Sequence, residues 1–290
     1  MKASAKTWST PVAAEERRMI PCALCGGDRF RPSLRCEGFH FVRCAGCGLV
    51  QANPQPTKAA IRLRYREGHG KDYLAYELEN EASFLNLQLL ALADAGFPSL
   101  ETELRGRLDR PPRILDVGCA TGALLEHLQR RGWDCTGVEL SAPQAEYARR
   151  RGLRIFDTPL EQVGLPDGGF DLVTASHLIE HLNEPADFVR EVRRILSPGG
   201  RFIATTPNID GLQARLFRGA WRSAIFDHLY LFSRNTLGAL LLRTGFIVEK
   251  TVTWGGLGSG TAPRPLKSIA DRLAKPLGFG DVMMMRARKA

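Results

Sequence analysis

The chain lacks any stretch near eighteen consecutive apolar residues, which excludes an α-helical membrane span of ordinary length. Its first residues have no apolar segment with a small-residue cleavage site, so secretion is not expected. Aromatic residues are few, at 8%, and they are not interleaved with basic ones on the scale of a nucleic-acid groove. Seven cysteines are an odd number, which an all-disulfide framework does not leave. The net charge of +9 is compatible with nucleic acid, an anionic membrane face or a phosphorylated small molecule, and it chooses among none of them. Part of the excess lies near the C-terminus and reads as a solvated face. What is present is 290 residues of ordinary globular composition, enough for a full α/β core and a smaller module.

Four of the seven cysteines are paired in sequence. Cys22-x-x-Cys25 and Cys44-x-x-Cys47 are separated by eighteen residues, and each pair runs into glycine (Gly26 and Gly27; Gly48). This is zinc-ribbon spacing, two knuckles whose four thiolates complete a tetrahedron. Four thiolates leave no open position, so the expected zinc is structural. Disulfides are the alternative, and a reducing cytoplasm, the expected location, argues against them. Cys36 lies between the knuckles without a partner in sequence, while Cys119 and Cys135 read as small buried residues.

The spacing of apolar and turn residues divides the chain into four parts. Residues 1–19 show no periodicity and read as a disordered tail. Residues 20–56 form the ribbon, with strands near 29–34 and 39–43. Residues 57–109 form a helical linker or cap with helices over 73–95 and 99–108. Residues 110–290 then alternate strand and helix. Strands are predicted at 113–117, 134–138, 153–156, 170–175, 200–206, 246–254 and 281–288. Helices are predicted at 122–131, 142–151, 185–196 and 234–244. Two insertions, 207–233 and 255–280, interrupt this pattern. The second carries Leu266, Ile269, Leu273 and Leu277 at helical spacing between Pro265 and Pro276. It could be a substrate lid, a helix associating with a membrane surface, or ordinary packing.

The strongest signal is Arg113-Ile114-Leu115-Asp116-Val117-Gly118-Cys119-Ala120-Thr121-Gly122, closed by Glu139 at the end of the next strand. A carboxylate placed there accepts hydrogen bonds from ribose hydroxyls. The loop reads Gly-x-Ala-x-Gly rather than the Gly-x-Gly-x-x-Gly of a pyrophosphate-binding turn, so a nucleoside without phosphates fits better than a dinucleotide. The stretch resembles the first motif of class I S-adenosylmethionine-dependent methyltransferases, with Ala120 at the middle glycine. That resemblance implies a Rossmann-like α/β fold with seven strands in the order 3-2-1-4-5-7-6. It also implies that Asp116, Gly118, Ala120 and Gly122 hold the amino-acid end of the cofactor. Glu139 would take the ribose diol, Leu140 the adenine ring and Asp157 the adenine amino group, with Ser176 ending the fourth strand beside the cofactor.

Ser176-His177-Leu178-Ile179-Glu180-His181-Leu182 follows the fourth strand. It is similar to the Glu-His-Leu segment of many small-molecule methyltransferases. It is also similar to the Glu-x-x-Glu-His run of ubiquinone-pathway O-methyltransferases, associated there with a divalent metal, except that His177 replaces the first carboxylate. A second segment, Asp227-His228-Leu229-Tyr230-Leu231-Phe232-Ser233, resembles one found in bacterial methyltransferases of the zinc-ribbon type. His177, His181 and His228 are therefore the candidates for a general base or for positioning the acceptor. Each could instead only satisfy loop or capping groups. No Asn-Pro-Pro-Tyr-like tetrad and no Pro-Cys pair follows the fourth strand, which argues against methylation of a nucleic-acid base. The expected activity is methyl transfer to a small molecule or glycan, at oxygen. The competing expectations are an RNA or protein methyltransferase using the ribbon for recognition, and a cofactor-binding protein without catalysis.

Overall fold

A computed structural model describes residues 17–36, 38–61, 71–256 and 274–290. The expected disorder of the first sixteen residues and the apolar stripe at Leu266, Ile269 and Leu273 lie outside these described residues.

The chain opens with β1 (Arg17–Arg18), β2 (Phe30–Cys36), β3 (Phe39–Cys44), β4 (Val50–Ala52) and β5 (Gln55–Pro56). β2 and β3 pair antiparallel, with Phe30 opposite Cys44 and Cys36 opposite Phe39, and β4 joins β3 with Ala52 opposite Phe41. β1 closes on β5. Two helices follow, α1 (Lys71–Asp94) and α2 (Phe97–Arg107). Gly96 separates them, and Pro98 sits in the first turn of α2, where its missing N–H has no intrahelical partner to lose.

The core runs β6 (Arg113–Val117), α3 (Ala123–Gln129), β7 (Asp134–Val138), α4 (Ala142–Arg150), β8 (Arg154–Phe156), α5 (Leu160–Val163) and β9 (Phe170–Ser176). A single 3₁₀ turn, Ile179–His181, leads to α6 (Pro185–Ile195), β10 (Leu196–Pro207), α7 (Leu212–Phe217), β11 (Tyr230–Leu231), α8 (Arg234–Arg243), β12 (Phe246–Trp254) and β13 (Val282–Lys289). Seven of these strands form one sheet in the order β12-β13-β10-β9-β6-β7-β8. Counted from β6 and read from the other edge, this is the expected 3-2-1-4-5-7-6. β13 runs antiparallel to both of its neighbours, while β10, β9, β6, β7 and β8 are parallel.

Burial explains the centre of the sheet. In β9, Phe170 to Ala175 are all buried because helices cover both faces, so the strand reads as a nearly continuous apolar run. α6 presents Phe188, Val189, Val192 and Ile195 along one buried stripe, each contributing roughly 2 kcal/mol by leaving water.

The insertion after β10 does something the sequence did not announce. β11 adds to the small N-terminal sheet, pairing antiparallel with β4 through Tyr230 opposite Gln51 and Leu231 opposite Val50. Leu34, Phe41 and Val50 pack with Ile209, Trp221 and Leu231 in one apolar cluster. The four-stranded sheet is thus built from both ends of the chain's sequence.

Candidate active site

Where parallel strands end, their carboxyl edges leave a crevice for ligands. β6 ends at Val117, and the loop from Gly118 to Gly122 turns back over the end of β7. Gly118 N–H and Cys119 N–H both donate to Val138 O, at 2.8 and 3.2 Å. Glu139 is locked into this loop: Oε2 accepts from Ala120 N–H at 3.0 Å and Oε1 from Ser141 N–H at 2.8 Å. Ala120 adopts the left-handed conformation with φ +49°, the conformation that the family's glycine supplies without strain. Gly122 has φ +78°, and a Cβ there would lie 2.4 Å from Leu153 Cδ1, so any side chain would be strained and would displace that leucine. Asp116 is buried and accepts from Thr174 Oγ1 at 2.6 Å. Burial, reinforced by Glu139, pushes its carboxyl up to about 7, and burial raises Glu139 as well. Leu140 follows directly on Glu139. Asp157 stands just past β8, exposed and paired with Arg149 at 3.0 Å.

The histidines gather at the next strand end. Ser176 ends β9, and His177 turns with φ +51°, its N–H donating to Thr205 O at 2.9 Å. Its Nδ1 lies 3.3 Å from Oε1 of Glu180, a fully buried carboxylate whose Oε2 accepts from Thr206 Oγ1 at 3.0 Å. Burial alone would raise Glu180, but the His177 hydrogen bond and the neighbouring imidazoles outweigh it and hold the carboxyl at about 2. His181 Nδ1 is 2.9 Å from Asp227 O, and His228 Nδ1 is 2.8 Å from Ser223 O. A carbonyl only accepts, so both rings carry a proton on Nδ1, and a neutral ring in this tautomer has its lone pair on Nε2. The two rings meet edge to face at 4.7 Å. Burial and His181 lower His228 to about 4. The Ser223 carbonyl holds the His228 ring at Nδ1. His177 alone of the three has a side chain that is half exposed, at 49%. Glu180, His181 and His228 each offer a donor atom within 4.8 Å of the others, a set that could hold a divalent cation.

The Gly118–Gly122 loop and the histidine cluster thus lie at the ends of two neighbouring strands, β6 and β9. The pattern of a family described as a methyltransferase domain matches residues 93–251, more than half of the chain. The chain belongs to this methyltransferase family. It is 35% identical over 103 residues to the ubiquinone biosynthesis O-methyltransferase of Alkalilimnicola ehrlichii, covering 33% of this chain and 42% of that relative. It is 34% identical over 119 residues to the enzyme of the same name from Methylococcus capsulatus, covering 39% of this chain and 48% of that one. The chain therefore spans less than half the length of the curated relatives it matches. Among solved structures, it resembles one from a complex between the Haloferax volcanii Trm112 methyltransferase activator and a methyltransferase. The TM-score is 0.57 at 15% identity, covering 75% of this chain and 94% of that one. A SAM-dependent methyltransferase of Thermotoga maritima gives 0.54 at 22% identity, covering 75% and 98%. At these identities the solved structures speak for the fold.

The methyltransferase core carries its cysteine knuckles on the histidine side. Cys22 and Cys47 sulfurs are 3.4 Å apart, Cys25 and Cys44 sulfurs 3.5 Å, and all four lie within 4.8 Å of one another with no disulfide. Sulfurs around a tetrahedral zinc at about 2.3 Å stand about 3.8 Å from each other, so the donor set fits that ion. The knuckles are built alike: Gly26 N–H donates to Cys22 O, and Gly48 N–H to Cys44 O, both glycines being left-handed. Burial pushes the Cys22 thiol up, whereas the amides of Cys47 and Gly46 outweigh burial at Cys44 and hold it at about 7. The segment after His228 binds the knuckles to the site. Leu229 N–H donates to Glu180 O at 2.7 Å, and Ala52 N–H donates to Leu229 O at 2.8 Å. Residue-by-residue reading of the sequence missed Tyr73, Glu77 and Glu81 of α1, which face the cofactor loop. The apolar period of that helix drew attention to its leucines instead.

Proposed function

We propose that the chain transfers the methyl group of S-adenosylmethionine to a hydroxyl of a small molecule or glycan, with His177 as the general base. The observation that carries this reading is the His177–Glu180 pair, a half-exposed imidazole backed by a buried, ionised carboxylate. A proton on Nδ1, which stands 3.3 Å from Glu180 Oε1, would leave Nε2 free to take the proton of an acceptor hydroxyl. Displacement at the sulfonium methyl is in line and its leaving group departs neutral, so positioning supplies much of the rate. Asp116, Gly118, Ala120 and Gly122 would hold the amino-acid end of the cofactor, Glu139 its ribose and Leu140 its adenine. Asp157 would reach the adenine by exchanging its bond with Arg149. His181 and His228 wall the acceptor side. Cys22, Cys25, Cys44 and Cys47 would hold a structural zinc, consistent with unpaired thiols in a reducing cytoplasm. No helix among the described residues is long and apolar enough to cross a membrane.

Labelled S-adenosylmethionine with a fractionated extract tests the acceptor. Label that survives both nuclease and protease supports the small-molecule or glycan reading, and label lost to either transfers the acceptor to RNA or protein. With an acceptor in hand, His177→Gln is expected to lower kcat by roughly a hundredfold or more while leaving S-adenosylhomocysteine affinity within twofold. Unchanged kcat would remove His177 from the mechanism. A cation at Glu180, His181 and His228 is the second reading, favoured by the convergence of their donors. It would act as a Lewis acid on the acceptor oxygen. Metal analysis separates the two: one zinc per chain, lost in Cys44→Ser, supports the base, and a second cation that survives that substitution supports the metal.

A further inference from the structure

α1 lies against the nucleoside end of the crevice. Glu77 hydrogen-bonds to Gln144 in the first turn of α4 and to Tyr73 one turn earlier on its own helix. Its Oε2 is buried without a hydrogen-bond partner. Across from it, Glu139 already has each oxygen held by a backbone N–H of the cofactor loop or of the turn into α4. One turn further along α1, Glu81 binds Arg151 at 2.7 Å and also hydrogen-bonds Thr121 of the same loop. The helix is therefore fastened beside the crevice, with the Glu77 carboxyl near enough to Glu139 to be raised by its charge. A buried carboxylate oxygen with no donor is costly, and two carboxylates in one site raise each other's proton affinity. Donors placed between them would relieve both costs.

We infer that Glu77 binds the ribose of the cofactor from the face opposite Glu139, the two hydroxyls of the diol donating one to each carboxylate, so that α1 closes as a clasp over a loaded site. This rests on the S-adenosylmethionine reading and assigns a cofactor-binding residue beyond the motif loop. Among the described residues, the charged and titratable groups around Glu77 are Tyr73 and Glu81 on α1, Glu139 at the end of β7, Cys119 in the loop, and Arg151 behind Glu81. Burial and then Glu139 push the Glu77 carboxyl up to about 7. The diol hydroxyls favour the ionised form, so binding expels a proton wherever the unloaded site holds one. Affinity then rises with pH up to about 7 and levels off above it.

Calorimetric titration of the full chain with S-adenosylhomocysteine, from pH 6 to pH 8, tests this. The wild type is expected to bind up to tenfold more weakly for each pH unit below 7. Glu77→Gln should make that slope shallower, leaving the share that Asp116, also held at about 7, contributes, and Glu77→Ala should weaken binding at pH 8 by roughly ten- to hundredfold. Hydrogen exchange of the wild type supplies a readout that needs no substitution, with the amides of α1 gaining protection on loading. A Glu77→Gln protein with the wild-type slope, or an α1 whose exchange ignores the ligand, would overturn the clasp. A wild type that binds neither S-adenosylhomocysteine nor S-adenosylmethionine would overturn the cofactor reading itself, and the clasp with it.

Discussion

Burial and the neighbouring His181 hold the His228 imidazole at about 4, against 6.5 for an unhindered histidine. Between those values the unfolded chain takes up a proton that the native state refuses, so stability falls as pH drops from 6.5 toward 4. Glu180 adds to the loss lower down, because a carboxyl held at about 2 keeps its advantage only above 4.5. Glu77 works the other way: raised to about 7, it favours the folded state as pH falls from 7 to 4.5. Comparing variants isolates the histidine. In His228→Gln the fall in Tm between pH 7 and pH 5 should shrink by several degrees, the equivalent of roughly 2 kcal/mol, relative to the wild type. Equal falls would mean that the ring takes its proton in the folded state.

The cofactor loop between β6 and α3 was legible because its chemistry is local. Asp116, the Gly118–Gly122 turn and Glu139 lie within one strand-loop-helix-strand unit, and the hydrogen bond from Ala120 N–H to Glu139 is the contact that the spacing demands. The cost of Ala120 is also local. A left-handed alanine is strained by about 1–2 kcal/mol, and glycine gives part of that back through its freer unfolded chain. Ala120→Gly is therefore expected to raise stability by roughly 0.5–1 kcal/mol, read as a higher Tm; no gain would show that neighbouring contacts offset the strain. The order of the seven strands was legible through the resemblance, and helices such as α6 through their apolar period. The pairing of β11 with β4 was not, because two residues with ordinary apolar character carry no mark of a partner about 180 positions away. Glu77 escaped for the same reason: a glutamate on an amphipathic helix looks solvated until the fold brings Glu139 opposite it.

At the scale of the molecule, the cysteine knuckles and the histidine cluster share one wall. Cys44 ends β3, β3 holds β4, and β4 holds β11, which directly follows the His228–Leu229 turn. The Gly118–Gly122 loop makes none of these contacts. Opening the knuckles, and with them the proposed zinc site, through Cys44→Ser should consequently cut turnover tenfold or more, while S-adenosylhomocysteine affinity shifts by less than threefold. Equal loss of both would mean that the knuckles hold up the whole domain.

The shared sheet also sets a timetable for synthesis. The knuckles and β4 leave the ribosome early, but the strand that covers the free edge of β4 is Tyr230–Leu231. At roughly 5–20 residues per second, that edge waits on the order of ten seconds or more for its partner. Bare strand edges recruit other chains. Capture of the proposed zinc by the four cysteines, all of them already made by then, would keep the small sheet in register through the interval, and would give that ion a task in the nascent chain before the enzyme has a substrate.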